Sequence, residues 1–481
     1  MNRRMVLYVT GRVTFVVGLL MILPILVAII YDEGTNTIYA LLQAMVATMA
    51  VGAAMAARPP KRRSIYVREG LAITGLSWIM LVIFGSLPYL FTGAIPAIPD
   101  AIFETASGFT TTGSSILSEI EALPHSVLFW RSFTVFIGGM GVLVFAVALL
   151  PKSSSDDIYL LKSEMPGPTF DKVLSRIRTI ARVFYIIYAV LTVVLIAFLM
   201  AAGMSPFDAI VHAFATAGTG GFSNKNTSIA AFESVPIELI LSFGMLIFSV
   251  NFNLYFYALR GRWRDAIRSD ELRWFIVIVL AATAAITFNI LPTYDSLWIC
   301  IKDAFFNVST IISTTGFGTV DFCQWPMFSQ LVLLILMFIG GCAGSTAGGL
   351  KISRVIALVK MGGKKLRQAI NPKRVGVIIY EGKPMEERTQ NDIALYFILY
   401  VITFMLLVVL ISFENLDFAT TFSAVATTFN NVGPGLGSVG PTGNFGDFSS
   451  FSKFVLSFGM VCGRLEIMPL ILLFAPSTWR A

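Results

Sequence analysis

Residues Asp100–Ser115 read DAIFETASGFTTTGSS, and three further stretches repeat their plan: Asp208–Ser223 (DAIVHAFATAGTGGFS), Asp303–Gly318 (DAFFNVSTIISTTGFG) and Thr420–Gly435 (TTFSAVATTFNNVGPG). Aligned without gaps, each carries a glycine thirteen positions after its first residue, at Gly113, Gly221, Gly316 and Gly433. The residues ahead of it are small or polar in nearly every case: Thr110, Thr111, Thr112; Gly218, Thr219, Gly220; Ser313, Thr314, Thr315; Asn430, Asn431, Val432. Four short helices, each ending in a glycine turn, predict a pore lined by backbone carbonyls.

The rest of the chain places these stretches in a membrane. Of 481 residues 56% are hydrophobic, and the mean hydropathy is +0.78. That excludes an ordinary soluble protein of two or three domains. Long apolar runs fall near 11–30, 38–57, 71–91, 127–150, 183–202, 236–258, 274–291, 328–345, 392–412 and 451–475. Most are long enough for a hydrocarbon core of about 30 Å, and ten spans leave both termini on one side.

The net charge of +7 does not point to nucleic acid, because the bases gather in alternate loops. Residues 58–68 hold five (Arg58, Lys61, Arg62, Arg63 and Arg68), 152–182 six, 260–273 five and 351–388 ten, so 26 of the 35 Lys and Arg lie in four loops. The positive-inside rule assigns those loops, with Arg3, Arg4 and Arg480, to the cytoplasm. The opposite loops carry Asp32, Glu33, Glu119 and Glu121. Trp130, Trp298 and Trp325 are then expected near the outer face, and Trp78, Trp263, Trp274 and Trp479 near the inner one, as aromatic belts. The first apolar run is too long for a signal-peptide core and lacks an obvious cleavage site, so it reads as a retained span. Cys300, Cys323, Cys342 and Cys462 have no metal-ligand spacing and read as small packing residues.

The chain divides into an N-terminal transmembrane helix pair (1–68) and four pore repeats: 69–155, 156–265, 266–375 and 376–481. Each repeat is a span, a short outer segment and a second span. Successive filter glycines are 108, 95 and 117 residues apart, a period that suits a supersecondary unit. The pentapeptide LSFGM recurs at Leu241–Met245 and Leu456–Met460, in the second spans of units two and four. The fold class is therefore an all-α polytopic membrane protein, with four non-identical membrane-pore-membrane repeats around one pore.

Asp100, Asp208 and Asp303 are expected N-caps of the short helices, with Pro99 and Pro206 just ahead of two of them. From cap to filter is about ten residues, hence about 15 Å of helix, or half a bilayer. The segment must enter and return on one side, which is tolerated only where the backbone is buried in protein or lines a wet cavity. The negative dipole ends then point at mid-membrane and favour a cation.

Unit three is expected to differ in its second span, interrupted by the run Gly340–Gly349 (GGCAGSTAGG). Ten small residues with five glycines do not make a stiff helix interior. Gly340, Gly341, Gly344, Ser345, Thr346, Gly348 and Gly349 are read as a flexible gating loop in the pore; the alternative is close helix packing through small residues. Arg464 lies deep in an apolar span, which is costly. It is read as an electrostatic barrier in the ion path, the alternative being a structural pair with Glu466 or with carbonyls. Arg131 is expected to snorkel or pair structurally. His125 and His212 are read as outer-surface or helix-packing residues. Gly435–Gly440 satisfies GxGxxG but follows a pore helix, so no dinucleotide site is expected. No Ser/His/Asp constellation is visible, and no enzyme is expected.

These residues resemble the Trk/Ktr/HKT superfamily of potassium transport proteins. The resemblance covers residues 69–481, and the added N-terminal pair is unlike the shorter Ktr pore subunits. It implies a homodimer with one pore per protomer, in a bacterial inner membrane with both termini cytoplasmic. It implies that the residues before Gly113, Gly221, Gly316 and Gly433 supply carbonyl ligands, that 340–349 is an intramembrane gating loop and that Arg464 is a pore arginine. Plant relatives with serine at the first filter glycine favour sodium, so Gly113 implies potassium as substrate; no covalent cofactor is implied. A cytosolic nucleotide-binding regulatory ring resembling TrkA is implied as partner, alongside the bilayer and without nucleic acid.

Three functions compete: a gated cation pore, a coupled potassium symporter using protons or sodium, and a receptor or structural membrane protein. A symporter calls for ionisable residues near mid-membrane, and no acidic proton relay is evident beside the filter. A receptor needs no four glycines in one register. The gated pore is the reading adopted. Each unit offers one shared glycine rather than a longer filter of stacked carbonyl layers, so a short filter of moderate selectivity is expected.

Overall fold

The computed structural model describes residues 2–60, 66–141, 177–373 and 376–479. Residues 142–150 of the fourth apolar run, 152–176 of the second basic loop, Lys61, Arg62, Arg63 and Arg480 lie outside the described residues. The N-terminal addition is α1 (Arg3–Leu20), α2 (Ile22–Ile30) and α3 (Thr35–Ala56). Unit one contains α4 (Val67–Gly85), α5 (Leu87–Thr92), α6 (Ile98–Phe109) and α7 (His125–Gly139). Unit two contains α8 (Ile177–Ala201), α9 (Pro206–Gly218), α10 (Val235–Phe248) and α11 (Phe252–Leu259). Unit three contains α12 (Asp270–Ile290), α13 (Leu297–Ile312), α14 (Met327–Ile339) and α15 (Ile352–Ile370). Unit four contains α16 (Glu387–Ile411), α17 (Phe418–Phe429), α18 (Ser450–Arg464) and α19 (Met468–Phe474). A small antiparallel hairpin, Ile379–Tyr380 with Lys383–Pro384, precedes unit four's first span.

The ten-span reading is corrected in one respect that matters for the site. Among the described residues six continuous helical stretches are long and apolar enough to cross a membrane: Arg3–Ile30, Thr35–Ala56, Arg68–Thr92, Ala181–Ala201, Asp270–Thr293 and Glu387–Glu414. The last four are the first spans of the four units. Among the described residues, the second spans of units two, three and four are broken in the middle. Between α10 and α11 the chain turns by 89°, and between α18 and α19 by 119°; α14 stops at Ile339, ahead of the glycine run. The break after Arg464 is made by left-handed backbone at Glu466 (φ 55°) and Ile467 (φ 68°). A β-branched residue rarely adopts that conformation.

The LSFGM pair behaves as one structural feature seen twice. Leu241, Ser242 and Met245 are buried, as are Leu456, Ser457 and Met460, while Phe243 and Phe458 are exposed. Three residues before each leucine stands a charged side chain that reaches the neighbouring unit. Glu238 pairs with Lys302 of α13, and Lys453 pairs with Asp100 of α6 at 2.6 Å.

The short helices have 12, 13, 16 and 12 residues, about 18–24 Å. Their aspartates are not the caps. Pro99 and Pro206 sit in the first helical turn, where a missing N–H costs nothing, so the helices start before Asp100 and Asp208. Ser205 accepts from Asp208 N, and α13 begins six residues before Asp303. In unit four Asp417 caps, accepting from Thr420 N at 2.9 Å. Three tryptophans also depart from the belt pattern: Trp78, Trp130 and Trp325 are buried. Trp130 donates to the Gly85 carbonyl at 3.0 Å, which lets an indole sit in the core. Trp263, Trp274 and Trp298 are exposed, as expected.

Candidate functional site

The four short helices end alike. Thr111, Thr219, Thr314 and Asn431 are left-handed, with φ of 58°, 58°, 57° and 55°. Their N–H groups turn back to the Gly108, Thr216, Ile311 and Thr428 carbonyls at 3.0–3.3 Å. The next N–H, of Thr112, Gly220, Thr315 and Val432, returns to Ser107, Ala215, Thr310 and Thr427 at 2.8–2.9 Å. This double bond pattern is a Schellman closure, built here on threonine or asparagine where glycine is usual. Holding a non-glycine residue left-handed costs about 1–2 kcal/mol. With these N–H groups committed to the helix ends, the carbonyls of the same residues are left to face elsewhere.

Two residues later each glycine is left-handed again, with φ of 81° at Gly113, 51° at Gly221, 88° at Gly316 and 111° at Gly433. A Cβ at Gly113 would lie 2.5 Å from the Gly220 carbonyl oxygen, one at Gly221 2.1 Å from that of Thr315. At Gly316 it would meet the Val432 oxygen at 2.1 Å, and at Gly433 the Thr112 oxygen at 3.0 Å. Each glycine therefore abuts the carbonyl just ahead of the next unit's glycine, and unit four closes on unit one. The four segments form a ring in chain order; only hydrogen fits at three of the contacts, and at Gly433 a Cβ would be tight.

On one side the four glycines border a cup of about 140 Å³ that also includes Arg131, Lys225 and Asn226. The cup's rim is held by the short helices. Glu104 of α6 accepts from Ser115 Oγ at 3.0 Å and Ile116 N at 3.1 Å. His212, at the same repeat position in α9, bonds Ser223 Oγ through Nε2 at 2.9 Å. Arg131 does not snorkel. It is 1% exposed and donates to Glu104 at 2.8 Å, the Ser223 carbonyl at 3.1 Å and Ser115 Oγ at 3.3 Å.

Beneath the ring lies the glycine run. It is irregular between Gly340 and Lys351, as expected, but it is pinned along its length. Gly348 N donates to Thr314 Oγ1 at 2.7 Å and Gly349 N to the Asn430 carbonyl at 3.1 Å, so the run touches two of the filter segments. Cys342 N and Thr346 Oγ1 donate to the Ser249 and Phe248 carbonyls at 3.0 Å, at the break of unit two. Glu271, buried at the start of α12, accepts from Ala343 N at 2.7 Å and Ser353 N at 3.2 Å, gripping both ends.

A second cavity, of about 50 Å³, lies on this side, bordered by Gly344, Ser345, Gly348, Lys351 and Arg464. Arg464 donates to the Thr346 carbonyl of the run and to the Gly138 and Gly139 carbonyls at the end of α7, each at 2.7 Å. Glu466 is engaged elsewhere, with Arg354 at 2.8 Å, so of the two structural partners weighed for Arg464, Glu466 or carbonyls, it is the carbonyls that hold it. A permanently charged guanidinium is satisfied here by oxygens on two sides of the cavity.

The chain matches the model of the TrkH family, described as cation transport protein, over residues 37–480. It is 36% identical to the Trk system potassium uptake protein TrkH of Halomonas elongata, covering 100% of both chains. The chain belongs to the TrkH family. It is a multi-span transport protein and not an enzyme. Escherichia coli K12 TrkH is 38% identical over 97% of this chain and 99% of its own. The crystal structure of the potassium transporter TrkH from Vibrio parahaemolyticus aligns over 100% of both chains, with a TM-score of 0.90 at 33% identity.

All sixteen residues expected at the ring fall at the helix ends or on the ring itself, and the residues expected to gate lie directly below or border the inner cavity. Sequence reasoning missed Glu104, Glu271 and the role of His212. Glu104 carried a signal, being an acid inside a short apolar helix with an arginine in the following span.

Proposed function

We propose that this chain is the pore subunit of a potassium uptake system, passing the ion down its electrochemical gradient through the ring at Gly113, Gly221, Gly316 and Gly433. The observation that carries this reading is the closed cycle in which each glycine abuts the next unit's carbonyl. Potassium uptake is what the names of the relatives state of those proteins. A dehydrated cation needs oxygen ligands, and the residues ahead of the four glycines offer carbonyls from four directions, at the negative ends of four helix dipoles. The cup is then extracellular and the glycine run cytoplasmic, in a bacterial inner membrane with both termini inside.

The run 340–349 acts as the gate, because it lies between ring and inner cavity and rests on Thr314 and Asn430. Arg464 holds it shut from below and sets a positive charge in the inner path. Opening requires its bond to Thr346 to be exchanged, a step suited to a cytosolic regulatory ring acting on a homodimer of this chain. Single-channel recording of purified protein in bilayers tests the mechanism: unitary potassium currents are expected. Flux strictly stoichiometric with sodium or protons, without unitary current, would instead establish a coupled symporter.

A further inference from the structure

We infer that Arg131 and Glu104 form a charge-balanced positioning pair that fixes ion discrimination by locking the filter segments of units one and two to each other. This rests on the filter reading of the ring. Both side chains are fully enclosed, Glu104 at 0% and Arg131 at 1% exposure, with Arg131 bordering the cup. Burying two charges carries a desolvation cost that an apolar pair of equal volume avoids. What the ion pair supplies instead is direction. Arg131 reaches Ser115, two residues beyond Gly113, and the Ser223 carbonyl, two residues beyond Gly221. Glu104 holds Ser115 and Ile116 from the other side. His212 holds Ser223 through its hydroxyl. The guanidinium also lies 4.2 Å from the Phe222 ring centroid, next to Gly221.

Units three and four lack this device. At the matching positions unit three has Asn307 and Gly318, and Gly318 N is held by Ser228 of unit two at 3.2 Å. Unit four has Ala424 and Gly435, with Ser423 holding Leu436 N at 2.8 Å. The Arg131 network is thus the charged tie across one of the ring's four seams. Because the pair sums to zero, the cup beside it carries no net charge from it; removing either partner exposes the ion route to the other.

The two charges make the test directional. In bilayers, single-channel potassium conductance and the potassium/sodium reversal potential are recorded for Glu104→Gln, Arg131→Met and the double variant. Glu104→Gln leaves the guanidinium unbalanced and is expected to lower conductance roughly threefold or more. Arg131→Met leaves a carboxylate, so conductance holds or rises while discrimination against sodium falls roughly tenfold. The double variant recovers conductance without recovering discrimination. Ser115→Ala removes one hydroxyl shared by the pair and should weaken discrimination roughly threefold; it carries the test if the charge variants do not reach the membrane. Single variants that shift conductance in the same direction with unmoved reversal potentials overturn the inference, as does an unmoved reversal potential in Ser115→Ala. Wild-type current in the same bilayers separates the two readings: if it is not potassium-selective the filter reading fails and this inference with it, whereas selective wild-type current with unshifted variants defeats this inference alone.

Discussion

Replacing Gly113 by serine perturbs the ring at one known contact. The residue keeps a left-handed φ of 81°, which costs a non-glycine residue about 1–2 kcal/mol. Its Cβ would stand 2.5 Å from the Gly220 oxygen and 3.3 Å from that of Thr315. Ordinary contact begins near 3.4 Å, so the Gly220 carbonyl must retreat by about 0.9 Å, a lasting shift that a close-packed interior resists. A ligand ring distorted this far is expected to lose about 1.4 kcal/mol of discrimination, or about tenfold in permeability ratio. Under bi-ionic potassium and sodium that moves the reversal potential by about 59 mV toward sodium. The same reasoning orders alanine substitutions. Gly221→Ala and Gly316→Ala, with Cβ 2.1 Å from an oxygen, should harm discrimination more than Gly433→Ala at 3.0 Å. A Gly113→Ser channel with normal conductance and an unmoved reversal potential would refute the carbonyl ring at that position.

Three further outcomes follow from the same contacts. Deleting part of 341–349 should raise basal conductance, read as open probability without any cytosolic partner; lower or unchanged flux at normal expression would remove the gating role. Glu271→Gln weakens the grip on Ala343 and Ser353 by exchanging charge-assisted bonds for neutral ones, each roughly half as strong, so basal open probability should rise several-fold, and an unchanged value would assign Glu271 to packing alone. Asp417→Ala should cost about 1 kcal/mol, the usual worth of an N-cap, read as a lower Tm in detergent. The Thr420 hydroxyl and N–H hold the Asp417 carboxyl below its ordinary value of 3.8. Its contribution is therefore intact at neutral pH and lost only as pH falls below that value, so a Tm difference that vanished already at pH 6 would contradict the cap.

How much of this was legible in the sequence varied with the kind of signal. Gly113, Gly221, Gly316 and Gly433 announced the ring because a left-handed residue against a neighbour's carbonyl tolerates glycine alone, and four such demands at one register leave a pattern. The break in unit three was legible for a similar reason, since the run 340–349 cannot be a helix interior. The breaks in units two and four were not. One is made at Asn251, whose side chain accepts from Asn253 N, the other by strained backbone at Glu466 and Ile467. Neither leaves a compositional mark in an apolar stretch. Asp100, Asp208 and Asp303 are not the caps because the helices start earlier: proline sits in the first turn ahead of Asp100 and Asp208, Ser205 caps the helix of Asp208, and the helix of Asp303 begins at Leu297. The rim network escaped because Glu104 meets Ser115, and His212 meets Ser223, only after each chain has folded back past its own glycine turn.

The central claim is that four carbonyl-bearing segments make one potassium site, and the wild-type reversal potential under potassium against sodium tests it most directly. A potential displaced toward the potassium equilibrium value by several tens of millivolts, meaning a permeability ratio of tenfold or so, is the predicted result. A reversal potential at zero under symmetrical concentrations of the two ions would contradict it.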